Sequence, residues 1–205
     1  MSAAVLSPTI RRLPSLAALL LVVLALSGCG VNNIPTLEEQ AKAAWGEVQN
    51  NYKRRADLIP NLVSTVQGYA KQEEKVLTEV IQARAKATSV QLPPDILNNP
   101  EAMKKFEDAQ NGLQGALGRL LVVTENYPDL KSNANFLQLQ QQLEGTENRI
   151  AIARRDYILA VQAYNTEIRT IPGRWWRSLL YPTAKEMASF SASEQEQQAP
   201  KVNFN

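Results

Sequence analysis

Three stretches of this chain carry apolar residues at alternating steps of three and four, and that spacing constrains the fold more than any other feature. From about residue 37 to 87, Trp45, Val48, Tyr52, Ile59, Leu62, Val66, Tyr69, Val76 and Val80 keep a seven-residue repeat, which lines one face of a helix. Ala56, Val63, Ala70 and Leu77 widen the stripe to the breadth a bundle core needs. A second stripe, from about 100 to 126, holds Met103, Phe106, Leu113, Leu117, Leu120 and Val123. A third, from about 133 to 170, holds Phe136, Leu139, Leu143, Ile150, Tyr157, Val161, Tyr164 and Ile168. An aromatic content of 6% suits helices better than the Val-, Ile- and aromatic-rich strands of a β-sandwich.

The breaks between stripes follow from proline. Gln91-Leu92-Pro93-Pro94-Asp95 and Asn99-Pro100 bracket a loop near 88–99, because a residue before proline is pushed out of the helical region. Tyr127-Pro128-Asp129-Leu130 ends the second helix, Ser132 or Asn133 caps the third, and Pro172-Gly173 stops it. The expected fold is all-α: an antiparallel up-and-down bundle of three long helices over residues 37–190, plus a shorter C-terminal helix over Thr183 to Phe190. The first helix would run unbroken for about 75 Å, with a kink at the outward-facing Pro60, and the first and third would be parallel. Gly112, Gly115 and Gly118 recur every third residue, as expected where a neighbouring helix approaches closely. The polar, Gln-rich residues 191–205 read as a tail with little to bury.

The first thirty residues read as an export signal. Arg11 and Arg12 precede an uncharged apolar run, Leu16 to Leu26, of about half the ~20 residues that a bilayer-spanning helix needs. The only cysteine follows at once, and Leu26-Ser27-Gly28-Cys29 resembles the lipobox of bacterial lipoproteins. That resemblance implies a signal peptide over 1–28, lipid attachment at Cys29, and a short tether over 29–36 that holds the bundle near its membrane. Several acyl chains would anchor the protein stably, where one holds only marginally. Gly30 follows Cys29 in place of aspartate, which in lipoproteins of two-membrane bacteria implies the periplasmic face of the outer membrane. Cleavage before Cys29 leaves 177 of 205 residues, with 20 basic and 20 acidic side chains. A balanced chain has no electrostatic footprint for nucleic acid.

With no histidine and one cysteine, the chain alone cannot assemble a His/Cys zinc or haem site, a Cys-His nucleophile or a Ser-His-Asp triad. No cofactor, metal site or catalytic residue is expected. Glu47, Asp57, Glu125 and Asp156 have the chemistry for a carboxylate-based glycosidase but no supporting spacing. Arg55 and Arg154 occupy stripe positions where the repeat asks for an apolar residue. An internal pair with a carboxylate is expected, Glu147 or Asp156 for Arg55. Trp175 and Trp176, between Arg174 and Arg177 and followed by Leu179 and Leu180, are expected to cap the bundle core. The alternative for that segment is a lipid headgroup layer.

Taken in order, Tyr52-Lys53-Arg54-Arg55-Ala56-Asp57-Leu58-Ile59-Pro60-Asn61-Leu62-Val63, Gly68-Tyr69-Ala70, Ala83-Arg84-Ala85 and Glu125-Asn126-Tyr127-Pro128-Asp129-Leu130 resemble the LemA family of bacterial envelope proteins. So do Leu143-Glu144-Gly145-Thr146-Glu147-Asn148-Arg149-Ile150, Ala153-Arg154-Arg155, Tyr164-Asn165 and the closing Ala199-Pro200-Lys201-Val202-Asn203-Phe204. The resemblance implies an exported up-and-down bundle tethered at its N-terminus, and it carries no assigned catalytic or binding residues. Many relatives keep an uncleaved N-terminal membrane helix, from which the lipobox here departs. The expected function is a membrane-anchored, non-catalytic interaction or scaffold protein of the envelope, meeting a protein partner or itself through its helix faces. The alternative is an envelope enzyme or enzyme subunit acting on peptidoglycan.

Overall fold

The structure is a computed structural model that describes residues 30–190; Cys29, the signal segment and residues 191–205 lie outside the described residues. The described residues contain helices and no strand: α1 (Asn33–Tyr69), α2 (Glu74–Ser89), α3 (Pro100–Thr124), α4 (Pro128–Lys131), α5 (Ala134–Arg169) and α6 (Gly173–Leu180). The all-α bundle expected from the stripes is therefore the fold. Asn99 caps α3 by accepting from the Ala102 amide at 3.0 Å, with Pro100 in its first turn. Asn133 caps α5 in the same way through the Phe136 amide.

The stripes are the core. All the second-helix stripe residues are buried except Val123, all of the third except Leu139, and both exceptions are half-buried. The first stripe holds as far as Val66; Tyr69 is exposed, Ala70 is buried, and Leu77 and Val80 are buried again. The interruption marks the main departure from expectation. The chain leaves the helical region at Ala70 (φ −126°, ψ 56°), makes one 3-10 turn over Lys71–Glu73 and reverses. Arg84 on α2 reaches back to Ala56 on α1, so α2 lies antiparallel along the second half of α1.

That reversal changes every later direction. Gln110 meets Ala87 and Arg119 meets Glu79, so α3 runs antiparallel to α2 and parallel to α1. Asn33 meets Glu167, Arg55 meets Glu147 and Tyr69 meets Asn133, so α5 is antiparallel to α1 along its whole length. The expected parallel pairing of the first and third stripes is thereby corrected. A chain with one more reversal inverts the partner that follows it.

α1 and α5, 37 and 36 residues long, form a pair about 55 Å in length. The shorter α2 and most of α3 cover the half nearer residue 69, and only the first turns of α3, with Met103 and Phe106, reach the other. In the half nearer residue 69 the core is aliphatic, built around Ile59, Leu62, Val66, Leu113 and Leu120. At the other half the loop after α2 and the segment after α6 take their place over Trp45, Tyr157 and Tyr164.

The expected C-terminal helix over Thr183 to Phe190 is absent. Residues 184–190 form an extended strap instead, because its peptide groups are taken by other elements. Asn165 accepts from the Met187 amide and donates to its carbonyl, each at 2.9 Å. Tyr157 donates to the Ala188 carbonyl at 2.7 Å, and the Ala188 amide donates to Leu97 O at 2.6 Å. The shorter C-terminal helix lies earlier, at α6. α1 also starts at Asn33, so only a turn over 30–32 precedes it within the expected tether.

Candidate functional site

Four helices meet at one polar level inside the bundle. Arg55, on the core face of α1, is 1% exposed. Its Nη1 donates to both carboxylate oxygens of Glu147 on α5, at 3.0 and 3.2 Å. Its Nη2 donates to the backbone carbonyl and the Oε1 of Gln110 on α3, at 3.1 and 2.8 Å. The Gln110 amide in turn donates to Ala87 O on α2. One turn from Arg55 its guanidinium lies over the Tyr52 ring, 5.0 Å from the centroid. Burial raises the Tyr52 hydroxyl above its usual pKa, against the opposing pull of Arg154 and Arg55.

Arg154 on α5 pairs with the buried Glu107 of α3 at 2.5 Å, and its guanidinium stacks 4.5 Å over the Phe190 ring of the strap. The sequence places Arg55 correctly in the core and offers Glu147 or Asp156 as its partner, of which Glu147 is the one; Arg154 is half-buried. The sequence misses Glu107, whose position in the α3 repeat, one place after Phe106, was the available signal. The layer separates the aliphatic half of the core from an aromatic half. There Trp45 makes edge and tilted contacts with Phe106, Tyr157 and Phe190 at 5.3–6.0 Å.

The four candidate acid–base carboxylates do not come together. Asp57 pairs with Lys53, Glu125 with Lys131, and Asp156 with Arg155, all on the surface. Glu47 and Asp156 do share an open groove of about 510 Å³ between α1 and α5, which Asn51 and Arg149 also line. Among the described residues no group of His, Cys, Asp and Glu has the arrangement to hold a metal ion. No described helix is long and apolar enough to cross a membrane.

Gly112 and Gly118 have nothing within 4 Å of where a Cβ would stand, and Gly115 would meet only Arg119 of its own helix. The close helix approach expected there does not occur. α3 and α5 instead leave a groove of about 340 Å³ lined by Leu117, Gly118, Leu121 and Leu143. The tryptophans divide. Trp176 packs against the aromatic half of the core, whereas Trp175 is 57% exposed, which corrects the expectation that both cap it. The proposed lipid site at Cys29 is outside the described residues.

Comparison with known proteins follows the same lines. The chain is 27% identical over 175 residues to magnetosome protein MamQ 2 of Paramagnetospirillum magneticum, an alignment covering 78% of this chain and 63% of that protein. It is 26% identical over 157 residues to magnetosome protein MamQ of Magnetospirillum gryphiswaldense, covering 69% and 58%. It is 24% identical over 139 residues to protein LemA of Metamycoplasma hominis, covering 68% and 59%. The chain thus spans about three-fifths of the length of the curated relatives it matches. The sequence model of the LemA family matches residues 44–204, from α1 through the strap and beyond, and the chain belongs to the LemA family.

Proposed function

We propose that this chain is a membrane-associated, non-catalytic scaffold of the bacterial cell envelope, lipid-anchored at Cys29 on the periplasmic face of the outer membrane. The observation that carries the reading is the use made of the buried polar groups. Arg55, Gln110, Glu147, Arg154 and Glu107 are spent on one another and on the backbone, across four helices. Groups engaged in that way fix the register of a bundle and leave its outer faces to meet a protein partner or a second copy. Two of the relatives are named magnetosome proteins, and a role within a larger cellular assembly is the part of that name carried over here.

The anchor is tested by metabolic labelling with a fatty-acid analogue. The wild-type chain is expected to take the label and Cys29→Ser to lose it; equal labelling of both overturns the anchor. The second reading, an enzyme acting on peptidoglycan, draws on the groove that Glu47 and Asp156 share. Release of soluble fragments from cell-wall polymer by purified protein, abolished in Glu47→Gln, would establish it and sink the scaffold.

A further inference from the structure

The outward face of α6 is apolar where the bundle ends. On α6, Trp175 is 57% exposed and Leu179 72%; four residues apart, they stand in one row. Ile171 (63%) lies in the turn just before the helix and Leu180 (54%) at its end. Four exposed large apolar side chains within ten residues make this a greasy edge at one end of the bundle, flanked by the exposed Arg174. Its composition is that of a segment at a bilayer interface. An indole sits at headgroup depth, leucines reach the acyl boundary, and arginine keeps its charge among phosphates.

Its location identifies what covers it. A Cβ at Gly30 would lie 3.9 Å from Pro172 Cγ, and Asn33 donates to Glu167, so α6 and the start of α1 share one end of the molecule. Cys29 is one peptide bond from Gly30. The far end, at the 69–73 turn, is about 55 Å away. Gly173 holds α6 against the bundle: any Cβ there would stand 2.1 Å from Glu167 O.

The geometry points to a second membrane contact: α6 lays Trp175 and Leu179, with Ile171 just before the helix and Leu180 at its end, onto the surface of the same bilayer in which the lipid on Cys29 is embedded. This inference rests on the lipid anchor proposed above. Two attachments at one end make the bundle stand on its membrane in one orientation, with the 69–73 turn pointing away. An anchor alone would let it swivel.

Leu179→Cys and Val122→Cys place an environment-sensitive fluorophore on α6 and near the opposite end, at residues exposed to 72% and 70%. The full-length acylated proteins are incorporated from outside into vesicles of phosphatidylethanolamine and phosphatidylglycerol, and iodide is added as a soluble quencher. The expected result is blue-shifted emission and loss of quenching at 179, with full quenching at 122, and recovery of quenching at 179 when Trp175→Glu is added. Helicity by circular dichroism confirms that each variant is folded. Membrane-bound protein quenched equally at both positions overturns the docking and leaves the anchor standing. Thiol labelling of the unsubstituted chain at Cys29 overturns the anchor and the docking together.

Discussion

Pro60 has no amide proton, so the carbonyl four residues before it, that of Ala56, loses its partner within α1. Arg84 Nε donates to that oxygen at 2.7 Å from the neighbouring α2. The proline thereby creates an acceptor that only a second helix can satisfy, and the acceptor fixes where α2 lies. Arg84→Met is expected to cost about 1–3 kcal/mol, the penalty for an unsatisfied half-buried carbonyl. In a Pro60→Ala background the restored amide can take the bond, so the cost of Arg84→Met should fall sharply. Urea denaturation of the four members of the cycle measures it, and additive costs would refute the link. Glu147 makes a comparable case. Glu147→Ala is expected to cost roughly 2–3 kcal/mol, less than a sealed pair because the carboxylate is 33% exposed. Exchanging both partners, Arg55→Met with Glu147→Leu, should recover most of that loss while loosening the register of α1 against α5. Arg55, Pro60, Arg84 and Glu147 all belong to the segments that resemble the family; in the structure Arg55, Arg84 and Glu147 each make a bond from one helix to another, and Pro60 frees the acceptor that Arg84 takes.

At the scale of elements, the strap shows how tertiary bonds override local preference. Residues 184–190 are too few to hold a helix on local preference alone, even with Thr183 and Glu186 at capping-box spacing, and the two bonds from Asn165 take up both polar groups of Met187. Asn165→Ala should free the strap without unfolding the bundle, and hydrogen exchange would show it as fast exchange at Met187 and Ala188 with α1 and α5 protected. Slow exchange at both amides would mean that the bonds at Ala188 and the packing of Phe190 secure the strap without Asn165. Tyr157 ties the same segment and gives it a pH dependence. Burial raises its hydroxyl far above the usual tyrosine range, so the folded protein keeps a proton that the unfolded chain releases. The stabilisation is complete below about pH 10 and declines as pH rises beyond it. Tyr157→Phe should cost about 1 kcal/mol at neutral pH through the lost bond to Ala188 O and make the alkaline decline shallower.

For the molecule as a whole, burial was far more legible than direction. The stripe residues of α3 and α5 are buried with one half-buried exception in each, because a seven-residue repeat reports which face is covered and is blind to what covers it; the small and polar core residues between them, such as Ala109, Ala116, Thr146 and Ala153, carry no such signal. The reversal after Tyr69 left no comparable mark. No proline or Asn-Gly pair stands there, Gly68 falls before the break, and the stripe resumes in phase at Leu77 and Val80 as though the helix had continued. Arg55 shows how easily a wrong topology survives such a test. Lying near the middle of α1, it faces Glu147 in the antiparallel arrangement, while a parallel one would set it only a few residues away. A residue far from the midpoint discriminates, and so does a pair across the reversal. Lys53 and Lys86, both exposed, are 33 positions apart and would be separated by roughly 50 Å in one continuous helix. In the folded-back arrangement they lie on adjacent helices whose axes are about 8–10 Å apart. Spin labels at Lys53→Cys and Lys86→Cys in a Cys29→Ser chain are therefore expected to report a short separation, set by that spacing and the label arms. A distance near 50 Å would restore the single long helix, and with it the parallel pairing of α1 and α5.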